Sequence, residues 1–60
     1  MNPYIAAQIF NAKAMAKNFD EACQQTAKEN AKKISKEEKR LLKKVHTITN
    51  RFISDLDKLS

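Results

Sequence analysis

Residues 28–44 hold the groups with the clearest chemical potential in this 60-residue chain. This segment contains eight Lys and Arg side chains against three Glu, and charges balance on either side of it, so the whole net charge of +5 lies here. Clustered cations bind phosphates and gain free energy by releasing the counterions of a nucleic acid. The candidate phosphate-binding residues are Lys32, Lys33, Lys36, Lys39, Arg40, Lys43 and Lys44.

Helix electrostatics accounts for part of this basic segment. Cations at 32–33 and carboxylates at 37–38 would favour the dipoles of a helix that ends and a helix that begins. The dipoles do not account for Lys39 and Lys43, a like-charge pair four residues apart that costs roughly a few tenths of a kcal/mol. Two interpretations stay open: a phosphate-binding surface, or a solvated end that keeps the protein soluble.

The other reactive side chains do not form a catalytic or metal-binding pattern. One cysteine, Cys23, and one distant histidine, His46, fall short of the three or four ligands of a zinc site. The acid pairs at 20–21 and 55–57 are predicted to be solvated, and no Gly-rich phosphate loop or paired nucleophile and base is present. We therefore expect no enzyme, no metal and no cofactor.

A long helix over about 3–33 is predicted to carry the first part of the basic segment. Asn2 before Pro3 is typical of a helix start, since Asn caps the first free N–H groups and Pro fits the first helical position. Apolar residues then recur every three or four positions in one phase. They are Ile5, Ile9, Ala12, Ala16, Phe19, Cys23, Ala27, Ala31 and Ile34.

A second helix over about 36–58 is predicted to follow a turn at 34–35. Ser35 and Glu38 have the spacing of a capping box, in which each residue bonds the other's backbone N–H. The apolar residues of this helix form two adjacent rows, which one partner helix would not cover. They are Leu41, Leu42, Val45, Ile48, Phe52, Ile53, Leu56 and Leu59.

The predicted fold is all-α, a single domain over 1–60 built as an antiparallel two-helix hairpin. The alternative is a three-helix bundle, because the sequence N-F-D-E at 18–21 also has the spacing of a capping box. The apolar phase continues across Phe19, which favours the unbroken first helix.

A lone hairpin would leave apolar side chains wet, and we expect Leu42, Ile53 and Leu56 to form the exposed row. A homodimeric four-helix bundle would cover them; a helical or acidic partner protein is the alternative. The candidate dimer or partner interface comprises Ile5, Ile9, Phe10, Met15, Phe19, Leu42, Val45, Ile48, Phe52, Ile53 and Leu56.

This layout resembles that of the Rop family of plasmid copy-number proteins, small hairpins that dimerise into four-helix bundles and bind paired RNA hairpins. Here the basic residues gather at the turn instead of along one bundle face. Residues 45–59, VHTITNRFISDLDKL, are similar in apolar spacing to the last helix of ribosome recycling factor. Neither likeness rests on a shared binding motif, and no functional residue is carried over from either.

Taken together, the sequence favours a small non-enzymatic regulator that contacts RNA or DNA phosphates. Tyr4 and Phe10 lie far from the basic segment, and Phe19 and Phe52 are predicted to be core, so no aromatic platform for bases is at hand. The alternative is an adaptor or inhibitor that docks its apolar helix face on a partner protein. The lone thiol and the lack of a membrane-spanning run or basic leader favour the cytoplasm.

Overall fold

The structure, a computed structural model, describes residues 2–59 as two α-helices joined by a turn. Helix α1 spans Pro3–Glu29 and helix α2 spans Lys36–Asp57, with no strand among the described residues. The all-α prediction with two helices is confirmed. The two terminal residues of the predicted domain, 1 and 60, lie outside the described range.

Helix α1 begins as predicted and runs for 27 residues without a break. The Asn2 side chain accepts a hydrogen bond from the Tyr4 backbone N–H at 2.8 Å, and Pro3 occupies the first helical position. The three-helix alternative is wrong. The Asp20 carboxylate is engaged by Gln24 and by His46 of α2, so it contributes to the packing of the two helices and does not start a new helix.

Helix α1 ends at Glu29, earlier than the predicted 33. Asn30 ends it by directing both its backbone N–H and its side-chain amide to the Thr26 carbonyl, at 3.0 and 2.9 Å. The Asn30 carbonyl then accepts from the N–H groups of Lys33 and Ile34, which closes the turn. The chain therefore reverses over residues 30–35, a longer connection than the sequence predicts.

Helix α2 begins at Lys36, as the capping box predicts. The Ser35 hydroxyl accepts from the Glu38 N–H at 3.1 Å, and the Glu38 carboxylate accepts from the Ser35 N–H at 2.9 Å. These bonds satisfy two backbone donors that a helix start leaves free. The helix ends at Asp57, one residue before the predicted limit.

The two helices are antiparallel. Lys13 pairs with Asp57 at 2.8 Å, whereas Asp20, further along α1, meets His46, which is earlier in α2. The resulting rod measures 47 × 16 × 9 Å. Residues 30–35 form its closed end, and the N-terminus of α1 and C-terminus of α2 form its open end.

The interface between the helices is shallow. Within residues 2–59 no hydrophobic side chain is buried, and the two most buried residues are Asp20 and Thr49, each 8% exposed. The half-buried residues on either side of the interface are Ile9, Ala12, Lys13, Ala16, Cys23 and Ala27 of α1, and Leu42, Val45, Ile53 and Leu56 of α2.

This burial corrects the prediction of the exposed row in α2. Leu42, Ile53 and Leu56, expected to be wet, lie half-buried toward α1. The exposed row consists of Leu41, Ile48, Phe52 and Leu59. The reason is that Thr49 of α2 is buried against α1, and Leu42, Ile53 and Leu56 lie on the same face of the helix as Thr49.

The prediction that Phe19 and Phe52 are core residues is also wrong for the single chain. Phe19 is 55% exposed and Phe52 is 48% exposed. Because successive residues of a helix are rotated by about 100°, turning Asp20 into the interface moves Phe19 to its edge.

The exposed hydrophobic residues lie mainly on one side of the rod. When two α-helices pack antiparallel, residues that are rotated away from the interface in the same direction around each helix axis lie on the same side of the pair. Exposed apolar residues from both helices therefore share one side. We call this side the apolar face: Met15, Phe19, Leu41, Ile48, Phe52 and Leu59, each exposed. Phe10, also exposed, falls on the opposite side, which we call the polar face.

Candidate nucleic-acid interface

The predicted phosphate-binding residues gather at the closed end of the rod. This basic end comprises the turn, the last part of α1 and residues 36–44 of α2, and all of its cations are exposed. They are Lys28, Lys32, Lys33, Lys36, Lys39, Arg40, Lys43 and Lys44. The hairpin thus gathers at one end of a 47 Å rod a charge that the sequence spreads over 17 positions.

None of these eight cations forms an ion pair within residues 2–59. Two of the three nearby carboxylates take part in local helix contacts instead. Glu29 accepts from the Gln25 side chain at 2.9 Å, and Glu38 accepts from the Ser35 N–H. The positive charge of the basic end is therefore left for solvent or for a ligand.

The Glu38 carboxylate is held in its charged form by the start of α2. The Ser35 backbone N–H, and secondarily the Ser35 hydroxyl, lower the pKa of Glu38 below its ordinary 4.5, while slight desolvation opposes them. Because hydrogen bonds to a carboxylate favour ionisation, Glu38 remains an anion that stabilises the helix start.

Two of the cations of α2 lie on the polar-face side of the rod. Lys39 and Lys43 line the polar-face side, next to Lys28 of α1. Arg40 is rotated toward the outside of the rod, whereas Lys44 lies near Ile48 of the apolar face. A ligand could therefore contact Lys28, Lys39 and Lys43 while the apolar face is covered.

The turn places two more lysines at the tip. Lys32 and Lys33 are exposed, whereas the next residue, Ile34, is half-buried and closes the interface between the helices. The Lys33 N–H donates to the Asn30 carbonyl at 2.8 Å, which fixes the backbone of this segment.

A polar cluster lies on the polar face next to the basic end. His46 Nδ1 is 2.8 and 2.9 Å from the two oxygens of Asp20, and Gln24 Nε2 donates to Asp20 Oδ2 at 3.1 Å. Because a carboxylate only accepts, Nδ1 carries the proton of this bond. The Asn50 side chain donates to the His46 carbonyl at 2.8 Å.

Sequence reasoning missed this cluster. Asp20 was expected to be solvated, and that expectation is wrong, because its side chain is 12% exposed and bonded across the interface. His46 was expected beside the basic segment, and it is half exposed there. The available signal was that Asp20 lies in phase with the apolar residues of α1. A single sequence cannot link that signal to a histidine 26 positions away.

The aromatic residues stay away from the basic end. Tyr4 and Phe10 are exposed in the first turns of α1, at the open end. Residues 2–59 also contain no group of three His, Cys, Asp or Glu side chains placed to hold a metal ion. In the same range, neither helix is long and apolar enough to cross a membrane.

No protein-family model matches the chain, no curated protein matches it in sequence, and no solved structure matches its fold. The function of the protein is therefore inferred from its own residues.

Proposed function

We propose that this protein is a small non-enzymatic regulator that binds RNA or DNA phosphates through its basic end. The observation that carries the proposal is the set of eight exposed cations at one tip, none paired with a carboxylate within residues 2–59. Such a tip gains free energy when it displaces counterions from a nucleic acid. If these cations served only to keep the protein soluble, they would do so equally well spread along the rod.

The contact we propose is to the phosphate backbone of a duplex or a folded RNA. Single-strand binders combine a basic groove with aromatic side chains on which bases stack. The basic end has no aromatic residue, since Tyr4 and Phe10 are at the open end. Phosphate contacts position a protein without reading sequence, so we expect weak sequence preference.

We further propose that two hairpins pair through the apolar face into a four-helix bundle. The chain exposes 5224 Å², against about 4,000 Å² for a compact monomer of 6.9 kDa. The excess of about 1,200 Å² is more than the roughly 800 Å² per partner that a stable interface buries. A second copy offers the same exposed row of Leu41, Ile48, Phe52 and Leu59.

The nucleic-acid proposal is tested with two variants that lose the same charge. The first, K39Q/R40Q/K43Q, neutralises the basic end, and the control, K17Q/R51Q/K58Q, neutralises three cations elsewhere. Fluorescence anisotropy with labelled RNA and DNA duplexes should show binding by the wild type and the control, and at least about tenfold weaker binding by the first variant. An equal loss of affinity in both variants would mean that binding depends only on net charge, and it would contradict a binding site at the basic end.

A second candidate function is a protein-interaction adaptor or inhibitor. The observation that favours it is the apolar face itself, which a partner helix could cover in place of a second copy. Sedimentation equilibrium separates the two. A dimer across a wide concentration range supports the bundle, whereas a monomer at all concentrations supports an adaptor that awaits its partner.

A further inference from the structure

A groove of about 760 Å³ runs between the helices at the closed end, on the polar face. Its floor is apolar and comes from both helices and the turn: Ala27, Ala31, Ile34 and Leu42. Its rim carries Lys28, Lys39 and Lys43. It lies on the other side of the rod from the apolar face, so covering that face would leave it open.

Small side chains on α1 create this groove. Cys23 and Ala27 are one helical turn apart on the interface side of α1, and Ala31 follows in the turn. Opposite them, Leu42 and Ile34 are only half-buried. Apolar atoms of both helices therefore remain in water at the bottom of the groove, where burial by a ligand would be favourable.

The polar groups left for a ligand are cations. The Gln24 and His46 side chains, at one end of the groove, are already engaged with Asp20. The rim lysines, by contrast, have no carboxylate partner within residues 2–59. A matching ligand therefore combines an apolar surface with negative charges beside it.

We propose that this groove binds an acidic amphipathic helix of a partner protein. A trough between two packed helices accepts the side-chain ridge of a third, and acidic residues flanking that ridge would meet Lys28, Lys39 and Lys43. A small ligand suits the groove less well, since small-molecule sites enclose about 70–90% of the ligand surface and this groove is open along its length.

A second copy of the chain is a poorer occupant. The apolar row that it would seat there comprises Ile48, Phe52 and Leu59. Of the two carboxylates at the end of α2 that carries this row, Asp57 is bonded to Lys13 and Asp55 lies 3.8 Å from Lys58. Seating that row in the groove of another copy would also be a head-to-tail contact, which continues into open chains unless the rotation closes. Assembly that grows steadily with concentration would reveal this occupant and overturn the proposal.

The test uses the full chain and a labelled synthetic peptide of about four helical turns. The peptide carries Leu on one stripe and Glu on both flanks, and the control peptide has the same composition in shuffled order. We expect the patterned peptide to bind and gain helix by circular dichroism, with amide NMR shifts centred on Ala27, Ala31 and Leu42. No binding at low salt, or equal binding of the shuffled peptide, would overturn the proposal.

Two matched variants localise the effect. K39E/K43E reverses the rim charge, whereas K32E/K33E makes the same change at turn lysines outside the groove, so the first should weaken peptide binding at least about tenfold more than the second. Ala31→Phe fills the groove without changing charge and should abolish peptide binding while the helix content stays that of the wild type. Retained peptide binding by Ala31→Phe would contradict the groove as the site.

These variants also separate the groove from the nucleic-acid proposal. Duplex binding should fall in both charge-reversed variants and survive Ala31→Phe, because that substitution removes no cation. If the duplex binds and the patterned peptide does not, only the groove proposal fails; the reverse result leaves the groove and removes the nucleic-acid function.

Discussion

Asp20 and His46 meet across the interface of the two helices, with Nδ1 of the imidazole 2.8 and 2.9 Å from the two carboxylate oxygens. Asp20 is as buried as any residue described, in an interface without a buried hydrophobic side chain. A carboxylate moved to another register would lose this partner at a cost of about 1–3 kcal/mol. The pair therefore fixes the alignment of two helices whose apolar contacts specify it only weakly.

Removing His46 should destabilise the hairpin because it leaves the Asp20 carboxylate with Gln24 as its one side-chain donor. We expect His46→Ala and Asp20→Ala each to lower the free energy of unfolding by about 1–3 kcal/mol. The double variant should cost less than the sum, with a coupling energy of about 0.5–2 kcal/mol. Urea denaturation at one fixed protein concentration measures all three, since self-association changes apparent stability.

Lys13 provides the control for this cycle. Its pair with Asp57 has the same 2.8 Å distance but lies at the open end, where Asp57 is 60% exposed. Lys13→Met should change the free energy of unfolding by only about 0–1 kcal/mol. Additive effects of the Asp20 and His46 substitutions would refute the register role.

The contribution of Glu38 to the stability of the start of α2 depends on pH. Because its pKa is lowered in the folded chain, its contribution to stability is complete above its ordinary 4.5 and is lost as pH falls through the lowered value. We expect Glu38→Gln to be less stable than the wild type at neutral pH and to lose less stability on acidification below about pH 4.5. Thermal unfolding followed by circular dichroism at several pH values checks this; identical acid-induced losses in the two proteins would contradict it.

Sequence patterns that involve only neighbouring residues predicted the helix starts correctly. Asn2 with Pro3 starts α1, and Ser35 with Glu38 starts α2, because caps depend on backbone groups two or three positions away. The end of α1 was placed too late because Asn30 interrupts the helix while the apolar phase continues to Ile34.

Features that depend on both helices could not be read from one sequence. Asp20 looked like a surface acid or a helix start, and only its contact with His46 explains its burial. The two apolar rows of α2 lie side by side, so the choice of Leu42 over Leu41 for the interface required the position of α1. The groove beside Ala31 likewise exists only once the helices are paired.

The apolar face should control self-association. We expect I48S/F52S to raise the dimer dissociation constant by at least about tenfold, since each side chain would lose roughly 1.5–3 kcal/mol of burial. Phe10→Ser is the matched control, because Phe10 is 67% exposed but lies on the polar face. Sedimentation equilibrium measures both. A dimer weakened by Phe10→Ser and not by I48S/F52S would mean that the dimer interface lies on the polar face, and it would contradict this prediction.

The salt dependence of duplex binding tests the central claim most directly, because it counts the phosphates neutralised by the basic end. For the wild type we expect the logarithm of the binding constant to fall against the logarithm of salt concentration with a slope of about −4 or steeper. In K39Q/R40Q/K43Q the slope should be flatter by about 2–3, close to one per cation removed. No binding at low salt, or the same slope in the variant as in the wild type, would contradict a phosphate-binding function for the basic end.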